Sequence, residues 1–145
     1  MKKLTTNLLI ILFISISFSC SKDNSIDDDT TLNIGSLLGV WKLTASSQNG
    51  INYKLTECDL LDLIIFDETN IIYVYNKSGK GNKCSVQTLN KSYTLRDNII
   101  TEEDGTEITI QQLFITEPSS LIIEFEEVSD NEIIIFRETY IKKQY

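Results

Sequence analysis

Short apolar segments separated by polar turns dominate this chain and constrain its fold more than any other feature. Within them, β-branched and aromatic residues alternate with polar ones, as in strands, and no long segment shows the 3.6-residue apolar repeat of a helix. The sequence therefore predicts an all-β domain, an antiparallel meander of eight strands. These cover about residues 39–48, 59–67, 70–77, 85–96, 98–103, 107–116, 120–127 and 132–142.

The residues between these segments favour tight hairpins. Residues 67–70 read Asp-Glu-Thr-Asn, and the dipeptides Asp97-Asn98 and Asp104-Gly105 each divide two apolar runs. Asn, Asp and Gly tolerate the positive φ that such turns require. Consecutive strands are therefore expected to pair with one another.

Alternation also predicts which side chains share a face of the sheet. Several strands are apolar on both faces at one end, as expected for a small closed sheet with a packed interior. Residues 32–38 are apolar enough to cover an outer patch and predict a short helical turn. The sets that share a face are Trp41, Leu43 and Ala45; Leu121, Ile123 and Phe125; and Ile133 with Ile135, opposite Ile134 and Phe136.

The amino-terminal segment has the layout of a secretory signal. Lys2 and Lys3 precede an almost wholly apolar run at 8–18, and small residues lead to Cys20. A membrane-spanning helix needs about 20 apolar residues in succession, and this run is about half that length. We therefore expect residues 1–19 to be removed and the mature chain to carry no transmembrane helix.

The stretch Ser-Phe-Ser-Cys at 17–20 resembles a bacterial lipobox, whose cysteine is lipidated and becomes the first residue after cleavage. The resemblance implies an acyl anchor on Cys20. Residues 20–35 then form an acidic tether with few apolar residues, and residues 36–145 form a single domain. The alternative is an ordinary secretory signal with an incidental cysteine, because Ser17 stands where lipoboxes usually carry Leu.

Charge and composition exclude several kinds of function. Removing residues 1–19, which hold two of the 13 basic residues and none of the 21 acidic ones, leaves a net charge of −10. Such a field repels phosphate backbones and disfavours nucleic-acid binding. The sequence contains no histidine, the commonest general base near neutral pH and the commonest transition-metal ligand. We therefore expect no enzymatic activity, no cofactor and no metal.

With Cys20 acylated, Cys58 and Cys84 remain as an even pair in an exported protein, where disulfides form. The alternative to a disulfide is a catalytic thiol on one of the two cysteines, but no histidine is present to activate it. A zinc site is also disfavoured, because two thiolates fall short of four ligands. The sequence therefore predicts a disulfide between Cys58 and Cys84.

Several motifs together resemble the lipocalin-like lipoproteins of Gram-negative bacteria over roughly residues 36–143. The first is a Gly-x-Trp motif, Gly39 and Trp41, which opens the first predicted strand. The others are Glu57-Cys58, the turn Phe66-Asp67-x-x-Asn70, Lys83-Cys84, Ser92-Tyr93-Thr94-Leu95 before Asp97-Asn98, and the final strand Glu138-Thr139-Tyr140-Ile141-Lys142-Lys143.

The resemblance implies an eight-stranded antiparallel up-and-down barrel with a short helical turn at its amino-terminal side. Gly39 and Trp41 would close its narrow end, and Arg137 is a candidate to pack on the Trp41 ring. Such a barrel either binds a small apolar or amphipathic ligand or fills itself with side chains and serves as an accessory or protein-interaction subunit. In either case the protein is expected at the outer membrane, held by its lipid on the periplasmic or the cell-surface face.

Two further groups of residues leave alternatives open. Four carboxylates at a predicted turn, on Glu102, Glu103, Asp104 and Glu107, form either a solvated hairpin tip or a calcium site. Tyrosines on strands either line a cavity or cap the core with the hydroxyl in water. Those in question are Tyr73, Tyr75, Tyr93 and Tyr140.

Overall fold

The computed structural model of the protein describes residues 32–79, 81 and 83–144. The predicted signal segment, Cys20 and most of the tether lie outside these residues. Neither of the two helical segments within them has the length or the apolar content to cross a bilayer.

The strands form one antiparallel sheet in which neighbours in sequence are neighbours in space. β1 also pairs with β9, so the sheet closes into a barrel. The elements are α1 (Ile34–Leu37), β1 (Gly39–Gln48), β2 (Ile51–Asn52), a 3₁₀ helix (Asp59–Leu61), β3 (Leu63–Phe66), β4 (Asn70–Ser78), β5 (Cys84–Arg96), β6 (Ile99–Glu102), β7 (Glu107–Phe114), β8 (Ser120–Ser129) and β9 (Glu132–Lys142).

The predicted all-β, eight-stranded up-and-down barrel is confirmed. β2 is a two-residue strand that folds back on the end of β1 and does not belong to the closed ring. The prediction of a strand over 59–67 is wrong in its first half, where Asp59–Leu61 form a 3₁₀ helix. Asp59 accepts a hydrogen bond from the Thr56 backbone N–H at 2.7 Å, a side-chain to backbone contact that favours a turn over a strand.

The predicted turns connect the strands as expected. At the β3–β4 turn, Asp67 accepts hydrogen bonds from the backbone N–H groups of Thr69, at 2.8 Å, and Asn70, at 2.5 Å. These donors lower the pKa of Asp67. At the β8–β9 turn, Asp130 and Asn131 both adopt positive φ, at 52° and 67°. Short polar side chains tolerate this conformation, so these turns fix the strand register.

A buried core fills the end of the barrel where β1 begins. Leu37 and Trp41 have no exposed surface, and the Trp41 indole N–H donates to the Leu37 carbonyl at 2.7 Å. The predicted helical turn over 32–38 is thus present as α1, and its last residue belongs to the core. We call this the closed end; the β1–β2, β4–β5 and β8–β9 turns lie at the opposite, open end.

Gly39 and Lys142 pack together at the closed end. Gly39 has a φ of +126°, and a Cβ on it would lie 3.0 Å from Lys142 Cε, so a side chain there is disfavoured on both grounds. The Lys142 ammonium lies 5.3 Å from the centre of the Trp41 ring. The prediction that Arg137 packs on Trp41 is wrong, because the register pairs Arg137 with Ser47, toward the other end of β1.

A bulge in β1 changes which of its side chains point inward. The pairing with β9 shifts between Leu43 and Ala45. Trp41 and Leu43 are buried, but Ala45 is exposed, so the prediction that it shares their face is wrong. An inserted residue reverses the alternation beyond it.

Cys58 and Cys84 form a disulfide, as predicted. It joins the segment before the 3₁₀ helix to the first residue of β5, at the open end. Because 26 positions separate the two cysteines, the bond removes loop entropy from the unfolded chain.

Replacing both cysteines, as Cys58→Ser with Cys84→Ser, should lower the free energy of unfolding by about 3 kcal/mol. Urea unfolding followed by circular dichroism measures this loss. Reductant should destabilise the wild type by a similar amount and leave the double variant unchanged. An unfolding midpoint that is equal in all these samples would contradict a stabilising disulfide.

Candidate functional site

The barrel encloses a cavity of about 610 Å³ between the closed-end core and the open end. The hairpin between β6 and β7 is short, so the wall is lower there than on the β8–β9 side. Side chains from β4 to β9 surround the space: Tyr73, Tyr75, Lys77, Gln87, Leu89, Lys91, Glu102, Thr106, Ile108, Ile123, Phe125, Glu126, Glu127, Phe136 and Glu138.

Two pairs of aromatic rings form much of the apolar lining. Tyr73 and Tyr75 stack with their ring centres 5.7 Å apart and their planes 2° from parallel. Across the barrel, Phe125 and Phe136 stack at 5.3 Å. Both pairs follow from alternation and register, which place Tyr73 and Tyr75 on one face of β4 and oppose Phe125 to Phe136.

A network of bonded polar side chains crosses the cavity wall. Glu102 is buried; it accepts a hydrogen bond from the Tyr73 hydroxyl and lies 2.5 Å from the Lys91 ammonium. The same ammonium lies 2.7 Å from Asp104 in the β6–β7 turn. The four carboxylates predicted at this turn therefore do not form one solvated tip, because Glu102 points inward as part of the wall.

The interactions in this network shift the pKa values of its residues. Desolvation alone would lower the pKa of Lys91, but Asp104 and Glu102 outweigh it and raise that pKa. Lys91 and the Thr106 backbone N–H hold the pKa of Asp104 well below its usual range. Burial and the Glu102 carboxylate raise the pKa of Tyr73, and burial raises that of Tyr75 to about 12. At neutral pH Tyr73 and Tyr75 are therefore neutral, Lys91 is protonated and Asp104 is ionised.

Glu138 places a second carboxylate in the interior. It accepts a hydrogen bond from the Tyr140 hydroxyl, and across the sheet it opposes Ile123. Burial raises the pKa of Glu138, and the nearby charges of Asp62 and Glu127 raise it further, although the Tyr140 bond lowers it. This carboxylate makes no ion pair with any described lysine or arginine.

Two of the four tyrosines take a predicted role, and the other two bond their hydroxyls to protein groups. Tyr73 and Tyr75 line the cavity. Tyr93 lies at the closed end, where its hydroxyl donates to the Asp67 carbonyl at 3.0 Å and its ring meets Phe66 edge to face. Tyr140 is buried below the cavity, and its hydroxyl is bonded to Glu138.

Sequence reasoning did not identify Lys91, Glu138 or the Phe125–Phe136 pair as site residues. Glu138 could have been identified from the sequence, because it is a charged residue at an inward position of the β9 pattern. Within residues 32–79, 81 and 83–144, no group of three or more His, Cys, Asp or Glu side chains is placed to hold a metal ion.

Lys91→Met leaves the buried Glu102 charge without its partner and should lower the free energy of unfolding by about 3 kcal/mol. Adding Glu102→Gln removes that charge, so the double variant should recover part of the loss. Urea unfolding measures both, and Lys54→Met, at an exposed lysine, is the matched control. A double variant less stable than Lys91→Met would contradict this account of the pair.

Two solved structures are similar to this chain. A structure of the siderocalin Ex-FABP, described as functioning through dual ligand specificities, is 12% identical with a TM-score of 0.47, over 74% of this chain and 71% of that one. A structure of apocrustacyanin C1 is 14% identical with a TM-score of 0.48, over 80% of this chain and 66% of that one. No curated protein matches this sequence.

A family profile described as a lipocalin-like domain matches residues 37–125. The matched region begins at the last residue of α1 and ends within β8, so it covers the Gly-x-Trp motif and most of the barrel. Because it spans more than half of the sequence, this chain belongs to the lipocalin-like domain family.

Proposed function

We propose that the protein binds one small apolar or amphipathic molecule inside its barrel. The observation that carries the proposal is the cavity of about 610 Å³. Ligand sites in proteins are concave, mostly apolar and about 300–1,000 Å³ in volume. Eight-stranded barrels of the lipocalin type are wide enough to hold one small ligand.

The distribution of side chains supports this proposal over a filled barrel. The closed end is occupied by fully buried residues such as Trp41, Ile71 and Leu121. Toward the open end, Leu89 and Tyr75 line the cavity, and each is 40% exposed although each points into the barrel. Apolar groups left open to water inside a concavity favour a ligand that covers them.

We further propose that the protein is a lipoprotein held at the outer membrane through Cys20, as the lipobox resemblance implies. The part of the tether that precedes the described residues, 20–31, would join the lipid to the barrel, and twelve extended residues span at most about 40 Å. The described chain begins at the closed end, where α1 packs, so this attachment leaves the mouth of the cavity open. The protein acts by binding and catalyses no reaction.

Leu89→Arg should weaken the binding of the neutral apolar dye N-phenyl-1-naphthylamine by at least about tenfold, because it places a charge against the apolar lining. Val86→Arg is the matched control, since Val86 lies on the same strand and is 65% exposed. Dye fluorescence on titration gives the affinity and a stoichiometry of one. Absence of dye binding by the wild type, or equal loss in both folded variants, would contradict a ligand site in the barrel.

Cys20→Ser should move the protein from the membrane fraction to the soluble fraction and abolish labelling by a fatty-acid precursor, because the thiol is the acylation site. Ser25→Ala, in the same tether, should leave both unchanged. Fractionation of cells that express each variant measures the distribution. A Cys20→Ser protein that stays in the membrane fraction would count against the anchor.

A further inference from the structure

The charges around the cavity indicate which amphipathic molecules it accepts, an inference that rests on the proposed ligand-binding function. The ligand-facing wall contains two lysines and four glutamates. A charged head group pays a large desolvation cost on entering a barrel unless the lining offers a partner of opposite sign. The side chains that still lack such a partner therefore determine which head group fits.

The cation deepest in the cavity wall is already neutralised. The Lys91 ammonium lies 2.5 Å from Glu102 and 2.7 Å from Asp104, and its side chain is 17% exposed. An anionic head group that paired with Lys91 would share the ammonium with these two carboxylates, whose negative charges repel it. The other lysine of the lining, Lys77, is exposed near the end of β4.

Apart from the Lys91–Glu102 pair, the cavity lining contains three glutamates and one lysine, Lys77. Glu126 and Glu127 lie exposed at the mouth, and Glu138 lies deeper in the barrel. None of the three pairs with a lysine or arginine among the described residues. With the Lys91–Glu102 pair set aside, the lining holds one positive and three negative side chains.

Aromatic rings border the same space. Phe125 and Phe136 stack against each other on the two strands that also carry Glu127 and Glu138. Tyr75 reaches the lining from the opposite wall, and the charge of Glu138 acts on its hydroxyl. Faces of aromatic rings attract cations, and alkylammonium groups are bound by aromatic residues together with a carboxylate.

We propose that the cavity selects amphiphiles whose head group is an alkylated ammonium, with the chain against Leu89, Ile108 and Ile123 and the head beside Glu138 and the Phe136 ring. The burial that raises the pKa of Glu138 supports this placement, because a cation next to the carboxylate offsets its desolvation. A fatty-acid anion, which carries the same kind of chain, would pass Glu126 and Glu127 at the mouth and place its carboxylate next to that of Glu138.

Two probes with the same chain test this selectivity: decyltrimethylammonium, whose charge is permanent, and decanoate. Isothermal titration calorimetry at neutral pH, low ionic strength and concentrations below micelle formation should give an affinity at least about tenfold higher for the cation. The preference should shrink when salt is added, because screening weakens charge pairing near the mouth.

Glu138→Gln should reduce the ratio of the cation affinity to the decanoate affinity several-fold, because it removes the charge and keeps the shape. Glu132→Gln is the matched control, since Glu132 lies on the same strand, is exposed and does not line the cavity. Circular dichroism and urea unfolding confirm that both variants are folded.

The outcomes separate this inference from the function on which it rests. If the dye binds, and decanoate binds at least as tightly as the cation, the barrel is a ligand site but the proposed selectivity is wrong. If Glu138→Gln and Glu132→Gln change the preference equally, the overall negative charge causes it and the assignment to Glu138 is overturned. If neither the dye nor either probe binds, the proposed function fails as well.

Discussion

The pairing of β1 with β9 is the constraint on which the rest of this structure depends. Its register runs from Trp41 opposite Lys142 to Gln48 opposite Phe136, and it converts an open meander into a closed wall. Closure removes both edges of the sheet and gives every strand one face toward an enclosed interior. Only in such an interior can alternation place aromatic rings and carboxylates around one space.

The two ends of the barrel then differ because of what the sequence places at each. At the closed end, Trp41 and Leu37 fill the interior, and Gly39 leaves room for Lys142 beside them. At the open end the inward positions of β4 and β9 carry tyrosine, lysine, phenylalanine and glutamate, which do not pack into a continuous core. Because side chains fill the closed end and not the open end, the cavity has a defined depth.

Polar groups inside the barrel are stabilised to different degrees. Glu102 has two partners, the Tyr73 hydroxyl and the Lys91 ammonium, and its charge is compensated within the wall. Glu138 has one neutral donor, the Tyr140 hydroxyl, and negative neighbours. A carboxylate in a barrel interior that lacks a counter-ion costs stability, and under the proposed function a cationic ligand would compensate Glu138.

Local patterns in the sequence predict most of this fold. Alternation identified the strands, and the short polar residues at Asp67 and Asp97 identified the turns that set their order. The disulfide followed from an even pair of cysteines. The strands and turns depend on neighbours in the chain, which is why a single sequence reveals them.

What the sequence did not predict depends on register between distant strands. The β1 bulge, which turns Ala45 outward, has no signature in the segment itself. Lys142 contacts Trp41, where Arg137 was predicted, because the register of β9 against β1 pairs Lys142 with Trp41. The inward position of Glu102 likewise depends on the β5–β6 register, which places Glu102 opposite Tyr93 and within reach of Lys91. The sequence alone therefore suggested that the carboxylates at this turn are solvent-exposed.

Native mass spectrometry of the protein purified from its own cells tests the central claim most directly. If the barrel holds a ligand, the folded protein should carry one additional small molecule, which is released on denaturation and whose mass can then be identified. A folded protein that carries no small molecule, and that takes up none when incubated with a lipid extract of the same cells, would contradict the claim that its cavity is a binding site.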